Sequence, residues 1–223
     1  MLKRIVLAVL LLAVTCSAGS WAAAPSTLWP PKIHMEAGVG FPQTDEFKYG
    51  WKAGLGCGGG IETGITKHVI LGLDLDYNHH GLNGAHLLDD IKARLPEDVT
   101  VSETIVSGGS ISVLTAMATV RLDLTTSSSI TPYLRIGAGL GRVTVAKANW
   151  SLVLADTHRR ILASNVTPFD HEDALATSIG AGVRQQPRGS KVGFTLEAGW
   201  VRIATENGST QMVPVRAGFV LGF

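Results

Sequence analysis

The chain has 223 residues, of which 45% are hydrophobic and 17% are charged, and its formal net charge is +1. This apolar, nearly neutral composition excludes a disordered chain, which needs low hydrophobicity and high net charge, and argues against a nucleic-acid-binding protein, which needs a basic surface. The two cysteines, Cys16 and Cys57, are too few for a disulfide framework or a thiolate metal site.

Residues 1–24 have the parts of a secretory signal peptide. Lys3 and Arg4 form a short positive region, the stretch 5–14 is uninterrupted apolar sequence, and small residues follow it. The apolar stretch is too short to cross about 30 Å of hydrocarbon as a helix. We therefore expect a signal peptide at 1–24 that is removed on export, a short lead at 25–32, and the folded domain at 33–223.

Beyond the leader, hydrophobic residues alternate with polar residues or glycines, which is the periodicity of a β-strand. In the last segment one face is wholly apolar, whereas the other carries Arg216 and glycines. The same division into an apolar face and a face of polar residues and glycines predicts eight strands, at 33–41, 51–65, 68–78, 111–124, 131–143, 174–185, 191–201 and 212–223.

The composition of the polar faces indicates which side of the strands points outward. These faces are rich in glycine and hold isolated charges, whereas a water-exposed face usually carries many Lys, Glu, Ser and Thr residues. We therefore expect the polar face to line a narrow, crowded lumen and the apolar face to contact lipid. In a soluble sandwich or a lipocalin-like barrel, by contrast, the polar face contacts water and the apolar face fills the core. The sequence therefore predicts an all-β fold, an eight-stranded antiparallel up-and-down transmembrane β-barrel.

The predicted connections support this barrel. Short gaps follow strands two, four and six, whereas the long connections 79–110 and 146–172 follow strands three and five. Short turns at one end and longer loops at the other are typical of transmembrane barrels. Closure is required because each unpaired backbone group in lipid costs several kcal/mol.

Three stretches carry a family resemblance: residues 131–141 (TPYLRIGAGLG), the opening segment 36–40 (EAGVG), and the alternating last strand that ends at Phe223. In these the chain resembles the OmpA-like small outer-membrane β-barrels of the porin family, over residues 33–223. The resemblance implies an integral protein of the outer membrane in a Gram-negative cell envelope. It also implies that the last strand, with Phe219, Leu221 and Phe223, is an assembly signal for the barrel-assembly machinery. No peptidoglycan-binding domain is expected after this strand.

The inward positions place six acids and five bases in the lumen, beside His34. They are Glu36, Glu62, Asp74, Asp76, Asp123 and Glu197, with Lys52, Arg121, Arg135, Arg184 and Arg216. An eight-stranded barrel is just wide enough for side chains to fill, and charges removed from water must pair. We therefore expect a charge network that plugs the lumen, with Glu197 bonded to Arg216 and either Asp74 or Asp76 bonded to Arg121.

Glycines are expected to make room for this network. The inward glycines at 54, 56, 58, 60 and 64 weaken their strand, since they offer no side chain to pack. We expect Arg and aromatic side chains of neighbouring strands to fill the space above them.

The long connections hold the remaining candidate groups. A histidine and aspartate set (His79, His80, His86, Asp89 and Asp90) has metal-ligand chemistry. A solvated loop cluster is the simpler interpretation, and neither a metal nor another cofactor is predicted.

Helical spacing of apolar residues within 87–95 predicts a short amphipathic helix in the first long connection. Weak alternation in 150–155 and 160–165 predicts that strands five and six extend as a hairpin. Basic residues near this hairpin are candidates to meet lipopolysaccharide phosphates: Arg142, Lys147, Arg159 and Arg160.

Three functions fit such a barrel. The first is a structural or surface-interaction role, adhesin-like, in which loops 79–110 and 146–172 contact an extracellular ligand. The second is a porin-like channel for small solutes, which needs a wider lumen than eight strands supply. The third is a lipid A-modifying enzyme, which needs a serine, a histidine and an acid together. The candidates lie across a hairpin from one another: Ser102, Ser107, Ser110 and Ser112 opposite His79 and His80, with Asp76 nearby. A local His-x-Ser motif is absent, so no catalytic residues are predicted. The expected partners are outer-membrane lipid, lipopolysaccharide and the assembly machinery, not nucleic acid.

Overall fold

The computed structural model describes residues 30–43, 50–84, 101–125, 129–154, 160–166, 171–187, 189–205 and 208–223. The predicted signal peptide and the predicted helix within 87–95 lie outside the described residues. So do His86, Asp89, Asp90 and Arg159.

The described part of the chain contains nine strands. They are β1 (Lys32–Pro42), β2 (Gly54–Gly64), β3 (Val69–Gly81), β4 (Val101–Asp123), β5 (Ile130–Leu154), β6 (Arg160–Val166), β7 (His171–Gln185), β8 (Val192–Ala204) and β9 (Thr210–Gly222). All strands but β6 form a barrel in the order β4-β3-β2-β1-β9-β8-β7-β5, and pairing of β4 with β5 closes it. The pairings between these strands are antiparallel. The predicted eight-stranded up-and-down barrel is confirmed.

Two strands are longer than predicted. β4 begins at Val101, within the predicted loop 79–110, and its extension pairs with an extension of β5 that reaches Leu154. Gly108 and Gly109 have positive φ angles of 71° and 78°. Only glycine adopts such angles readily, and the pair interrupts the alternation, so the sequence pattern placed the start of the strand too late.

The extension of β5 also pairs with β6. The predicted hairpin between 150–155 and 160–165 is therefore confirmed at the level of the backbone. Together β4, β5 and β6 form a three-stranded sheet that continues past the end of β3 at Gly81. We call this end of the barrel the loop end.

The opposite end, the turn end, carries the short turns 65–68, 124–129 and 186–191, together with Lys32 and Gly222. By the usual orientation of outer-membrane barrels, the turn end faces the periplasm and the loop end faces the outside of the cell. Among the described residues, no helix is both long and apolar enough to cross a bilayer.

The outer wall of the barrel is apolar and the inner wall is polar. On β3, Leu75 is 57% exposed, whereas its neighbours Asp74 and Asp76 are 5% and 2% exposed. The same contrast recurs around the barrel, where outward side chains include Met35, Leu55, Ile61, Leu134, Ile136, Ile179, Phe194, Leu196 and Phe219. Enclosed charges beneath exposed large apolar side chains are the reverse of a soluble protein. The outer wall is therefore the surface that contacts lipid.

The interior has two zones. Ionic side chains fill the turn end and the middle, and apolar side chains fill the loop end. The apolar zone consists of Ile111, Val113, Met117, Val143, Val145, Ala176, Val201, Ile203 and Met212, with Trp51 and Ala174 packed against it. An apolar zone inside the lumen was not expected from the sequence. The signal lay in the inward positions of β4, β5 and β8, which change from charged residues or glycine to Val and Ile toward the loop end.

Candidate functional site: the charged interior of the barrel

The ionic zone begins with a column of polar side chains on β3 that lies against a column of glycines on β2. The neighbours are Asp74 and Gly60, Asp76 and Gly58, Asn78 and Gly56, and His80 and Gly54. A Cβ atom on Gly58 would lie 2.0 Å from Oδ1 of Asp76. Gly56, Gly58 and Gly60 therefore accommodate short polar side chains of β3, and the imidazole rings of His80 and His34 lie against Gly54 and Gly60. Arginine is not among the nearest neighbours of these four glycines. That part of the prediction was wrong because strand register, which the sequence does not reveal, decides the neighbour.

At the turn end, two arginines and two carboxylates form a closed ring. Arg121 on β4 bonds to Glu62 on β2 and, through Nε, to Oδ1 of Asp123 at 3.0 Å. Arg184 on β7 donates to Oδ2 of Asp123 at 2.7 Å and lies 3.6 Å from Oε1 of Glu62. We call this set the turn-end ring. The ring has two positive and two negative charges, and its members are at least nine-tenths buried. Each charge that is removed from water therefore has a partner of opposite sign, which buried charges require.

In the middle of the barrel, Arg135 on β5 bridges two carboxylates that lie on different sides of the lumen. It bonds to Asp74 on β3, and its Nη1 donates to Oε2 of Glu197 on β8 at 3.1 Å. Nε2 of His34 on β1 lies 3.1 Å from Oδ1 of Asp74. This central cluster therefore ties four strands together across the interior.

Tyr133 connects the central cluster to the turn-end ring. Its hydroxyl donates to Oε2 of Glu197 at 2.9 Å, and the guanidinium carbon of Arg121 lies 5.2 Å from the centre of its ring. A Cβ atom on Gly182 would lie 2.6 Å from the Tyr133 hydroxyl, so this glycine provides the space for the aromatic ring. The sequence analysis did not select Tyr133.

Toward the loop end, Arg216 on β9 holds the last two interior acids. Its Nη1 donates to Oε1 of Glu36 at 2.7 Å and to Oδ1 of Asp76 at 2.8 Å. Glu36, Asp76 and Arg216 are all buried. This outer cluster contains two carboxylates for one guanidinium group. Asn78, the register partner of Val113 in the apolar zone, is 1% exposed, and its amide atoms have no hydrogen-bond partner among the described residues.

The pairs chosen from sequence differ from those in the structure. Glu197 lies opposite Arg216 in the register of β8 and β9, yet it bonds to Arg135. Arg121 bonds to Glu62 and Asp123, not to either aspartate of β3. A guanidinium group on a long side chain reaches across the narrow lumen and bonds two carboxylates, so partner choice follows the closed geometry and not strand adjacency.

Lys52 does not join the interior charges. It is exposed and precedes β2, which begins at Gly54 and not at 51. Its backbone N–H donates to the carbonyl of Gly81 at 2.9 Å. The residue is therefore fixed at the loop-end rim, outside the strand whose alternation assigned its side chain to the lumen.

Two small cavities lie between the ion clusters. Each has a volume of about 20 Å³, which is enough for about one water molecule. Several buried polar atoms near them lack a partner among the described residues, including Oδ2 of Asp76 and Nε of Arg216. The arrangement can neutralise charge, hold strands together across the lumen and restrict passage through it.

The Ser-His-acid set considered for catalysis is not assembled. Ser112 Oγ lies 3.1 Å from Nδ1 of His79 and 3.0 Å from the Tyr77 hydroxyl, on the outer wall. Asp76 lies inside the barrel, bonded to Arg216, and His80 also points inward, with Nδ1 3.1 Å from the carbonyl of Lys52. The barrel wall therefore separates the acid from the outward serine and histidine.

The outward polar residues mark the upper edge of the apolar wall. His79, Ser112, Thr144 and His171 are register partners across β3, β4, β5 and β7. Two register positions below this row, and on the same face, Arg142 donates two hydrogen bonds to Asp173, at 2.6 and 2.8 Å. Of the four bases expected near lipopolysaccharide, Arg142 thus lies on the outer wall, with a carboxylate partner.

The residues of the expected assembly signal are at the turn end of β9. Phe219 points outward, 50% exposed, and packs against Phe194 with ring centres 5.0 Å apart. Phe223 follows the end of β9 and is exposed.

Within the described part of the chain, no group of three or more His, Cys, Asp or Glu side chains is arranged to hold a metal ion.

A closed, even-stranded antiparallel barrel with an apolar outer wall and an enclosed ionic interior defines an integral β-barrel protein of the outer membrane. No family model matches the sequence, and no curated protein matches it. Among solved structures, the chain is similar to Neisserial surface protein A, with a TM-score of 0.54 and 13% identity over 89% of this chain and 100% of that one. It is also similar to Ail of Yersinia pestis, with a TM-score of 0.46 and 13% identity over 86% and 99% of the two chains. OprG from Pseudomonas aeruginosa gives 0.43 and 14% identity over 88% and 97%. The chain thus has the fold of the small outer-membrane barrels, as the OmpA-like sequence resemblance indicated.

Proposed function

We propose that this protein is a structural, surface-interaction barrel whose lumen is closed. The observation that carries the proposal is the filled interior, in which ion pairs occupy the turn end and the middle and an apolar cluster occupies the loop end. Each buried arginine holds two carboxylates, at least one of them from another strand of the wall. A hydrated solute would have to separate these pairs, and uncompensated buried charges are costly.

The apolar zone supports closure by a second mechanism. Val113, Val143 and Ile203 have no exposed surface, and Ile203 packs so closely on Gly141 that an added Cβ would lie 2.9 Å from its Cδ1. Such packing narrows the path for water and ions at this end of the lumen. The two zones therefore oppose conduction independently.

The sheet at the loop end supports the surface-interaction part of the proposal. Residues 101–109 of β4 and 145–154 of β5 extend past the ends of β3 and β7, and β6 adds a third strand. At about 3.3 Å per residue, nine residues reach roughly 30 Å from the barrel. The described parts of the connections 79–110 and 146–172 that form this sheet extend beyond the barrel wall, on the side where an extracellular ligand would bind. This sheet lies at the loop end, opposite the turn end that is expected to face the periplasm.

Conductance of the purified, refolded chain in planar bilayers tests closure. We expect no large, steady single-channel currents under conditions in which a general porin, tested in parallel, conducts. Steady currents from the native chain would contradict the closed lumen and favour the alternative of a small-solute channel.

Shortening the loop-end sheet tests the interaction role. We expect a variant with a tight turn in place of residues 149–165 to retain heat-dependent gel migration, the sign of a folded barrel, but to lose adherence of expressing bacteria to cultured epithelial cells. Replacing the turn 124–129 at the opposite end is the matched control and should leave adherence unchanged. Equal adherence of native and shortened chains would refute a role for this sheet.

We also propose that residues 1–24 are removed on export and that Phe219, Leu221 and Phe223 direct assembly in the outer membrane. The outward position of Phe219 on β9 supports this role. The enzyme alternative has the outward Ser112 and His79 in its favour, but the acid considered with them, Asp76, lies inside the barrel, and the outward Asp173 is bonded to Arg142.

A further inference from the structure

The turn end of the barrel encloses a cavity that the closed-lumen function does not use. Its volume is about 270 Å³, and the turn-end ring forms part of its lining. Its walls come from the rims of β1, β2 and β7 and from the three short turns, including Lys32, Lys67, Ser129 and Gln186. The cavity thus opens toward the expected periplasmic side and is closed above by the ring.

The cavity has more positive than negative charge. Arg121 and Arg184 are balanced by Glu62 and Asp123 within the ring. Lys32 and Lys67 add two positive charges to the lining. Among the described residues, neither ammonium group forms an ion pair with a carboxylate.

Lys32 is positioned over the cavity by a neutral group. Its ammonium donates to Oε1 of Gln186 at 3.3 Å, and Nε2 of the same amide donates to the carbonyl of Ser190 at 2.8 Å. An ammonium group has three donors, so two remain beside this contact. A half-enclosed ammonium group without a counter-charge is costly to bury, and an anion in the cavity would remove this cost.

The ring also contributes guanidinium groups to the floor of the cavity. Arg121 and Arg184 both line it, and among the described residues the buried Nη2 of Arg121 has no hydrogen-bond partner. Nη1 and Nε of the same guanidinium group are bonded within the ring. The lining therefore combines flexible ammonium donors at the rim with a fixed guanidinium group at the floor, the groups that bind phosphate.

We propose that this turn-end cavity is a binding site for a small phosphate-bearing solute of the periplasm. Lys32 and Lys67 supply the charge that attracts the anion, Gln186 orients Lys32, and the cavity volume limits the ligand to a phosphate group with a small substituent. A phosphate from a lipid head group has the same chemistry, but the cavity lies inside the rim and faces away from the apolar outer wall. This proposal is independent of the closed-lumen function.

Titration of the refolded chain with inorganic phosphate tests the site. In a neutral detergent at low ionic strength, we expect saturable heat on calorimetric titration. We expect the double variant Lys32→Gln with Lys67→Gln to bind at least tenfold more weakly. Lys191→Gln is the matched control, because Lys191 lies on the same rim in the turn 186–191 but not in the cavity lining, and its affinity should equal that of the native chain.

Two further measurements complete the test. Heat-dependent gel migration of each variant establishes that the barrel has folded, so that lost binding reports on the site. Titrations in nanodiscs of phosphatidylcholine and of phosphatidylglycerol distinguish the sources of phosphate, and we expect equal affinities in both. Absence of saturable binding, or equal weakening by Lys191→Gln, would overturn the site. Loss of binding only in phosphatidylglycerol would overturn the assignment to a solute, because the lipid head group would then be the occupant.

Discussion

Removing Arg135 should destabilise the barrel more than any change at an exposed ion pair on the same strand. Arg135→Met keeps a long apolar side chain but leaves Asp74 and Glu197 without their shared guanidinium group. Asp74 retains His34, and Glu197 retains the Tyr133 hydroxyl. Neither of these contacts replaces a full positive charge held between two carboxylates.

The magnitude follows from the burial of the three groups. The side chains of Arg135, Asp74 and Glu197 are 12%, 1% and 13% exposed, so solvent screens the uncompensated charges only weakly. Removal of one partner from a buried ion pair costs about 3–5 kcal/mol. At about 1.4 kcal/mol per tenfold, the folding equilibrium should fall by roughly two to three orders of magnitude.

Arg142 provides the matched control on β5. It bonds to Asp173 through two hydrogen bonds, as Arg135 bonds to its partners, but the two side chains are 47% and 30% exposed. Exposed ion pairs contribute little, because water screens the charges and the long side chains lose entropy. Arg142→Met should therefore leave the unfolding midpoint nearly unchanged.

Urea unfolding of the chain refolded in lipid vesicles measures both variants, with tryptophan fluorescence and gel migration as independent readouts. A third chain, which combines Arg135→Met with Asp74→Asn and Glu197→Gln, should recover most of the lost stability, since no charge is then left alone. If Arg135→Met cost no more than Arg142→Met, the interior would have to be hydrated enough to screen its charges. The argument for a closed lumen would then fail.

Two further predictions test the packing and the orientation of the wall. Gly58→Ala places a Cβ atom 2.0 Å from Oδ1 of Asp76, and we expect this overpacking to lower the free energy of unfolding by about 1–3 kcal/mol. Gly81→Ala, where nothing lies within 4 Å, should cost much less in the same urea titration, and equal losses would argue against the glycine column. Cys57 is exposed on the outer wall, in register with Ala37 and Tyr77. It should react with a membrane-soluble maleimide in vesicles but not with a charged one, whereas fast labelling by the charged reagent would place this face in water.

The prediction of the fold succeeded because side-chain alternation is a local property. Successive residues of a strand point to opposite faces whatever the strand pairs with, so Asp74 and Leu75 were assigned to their faces without knowledge of any neighbour. The glycine-rich composition of the polar face then indicated which side is enclosed. The eight barrel strands follow from these two observations.

The contacts inside the barrel depended on the closed structure. Register decides that Asp76 lies on Gly58, and closure decides that Arg135 meets both Asp74 and Glu197, which are far apart in sequence. Alternation carries no information about strand register or about contacts across the closed lumen. The ion pairs that were chosen from strand adjacency were wrong for this reason.

The sequence by itself determined which residues within the strands face lipid and which face the interior, because side chains alternate with a two-residue period. It did not determine where each strand begins, so Lys52, just before β2, was wrongly assigned to the lumen. The tertiary structure decided which interior charges pair, that the loop end of the lumen is apolar, and that β4 and β5 continue past the barrel wall. These features arise when strands distant in sequence meet, and the energy of a buried charge depends on the partner that it meets there.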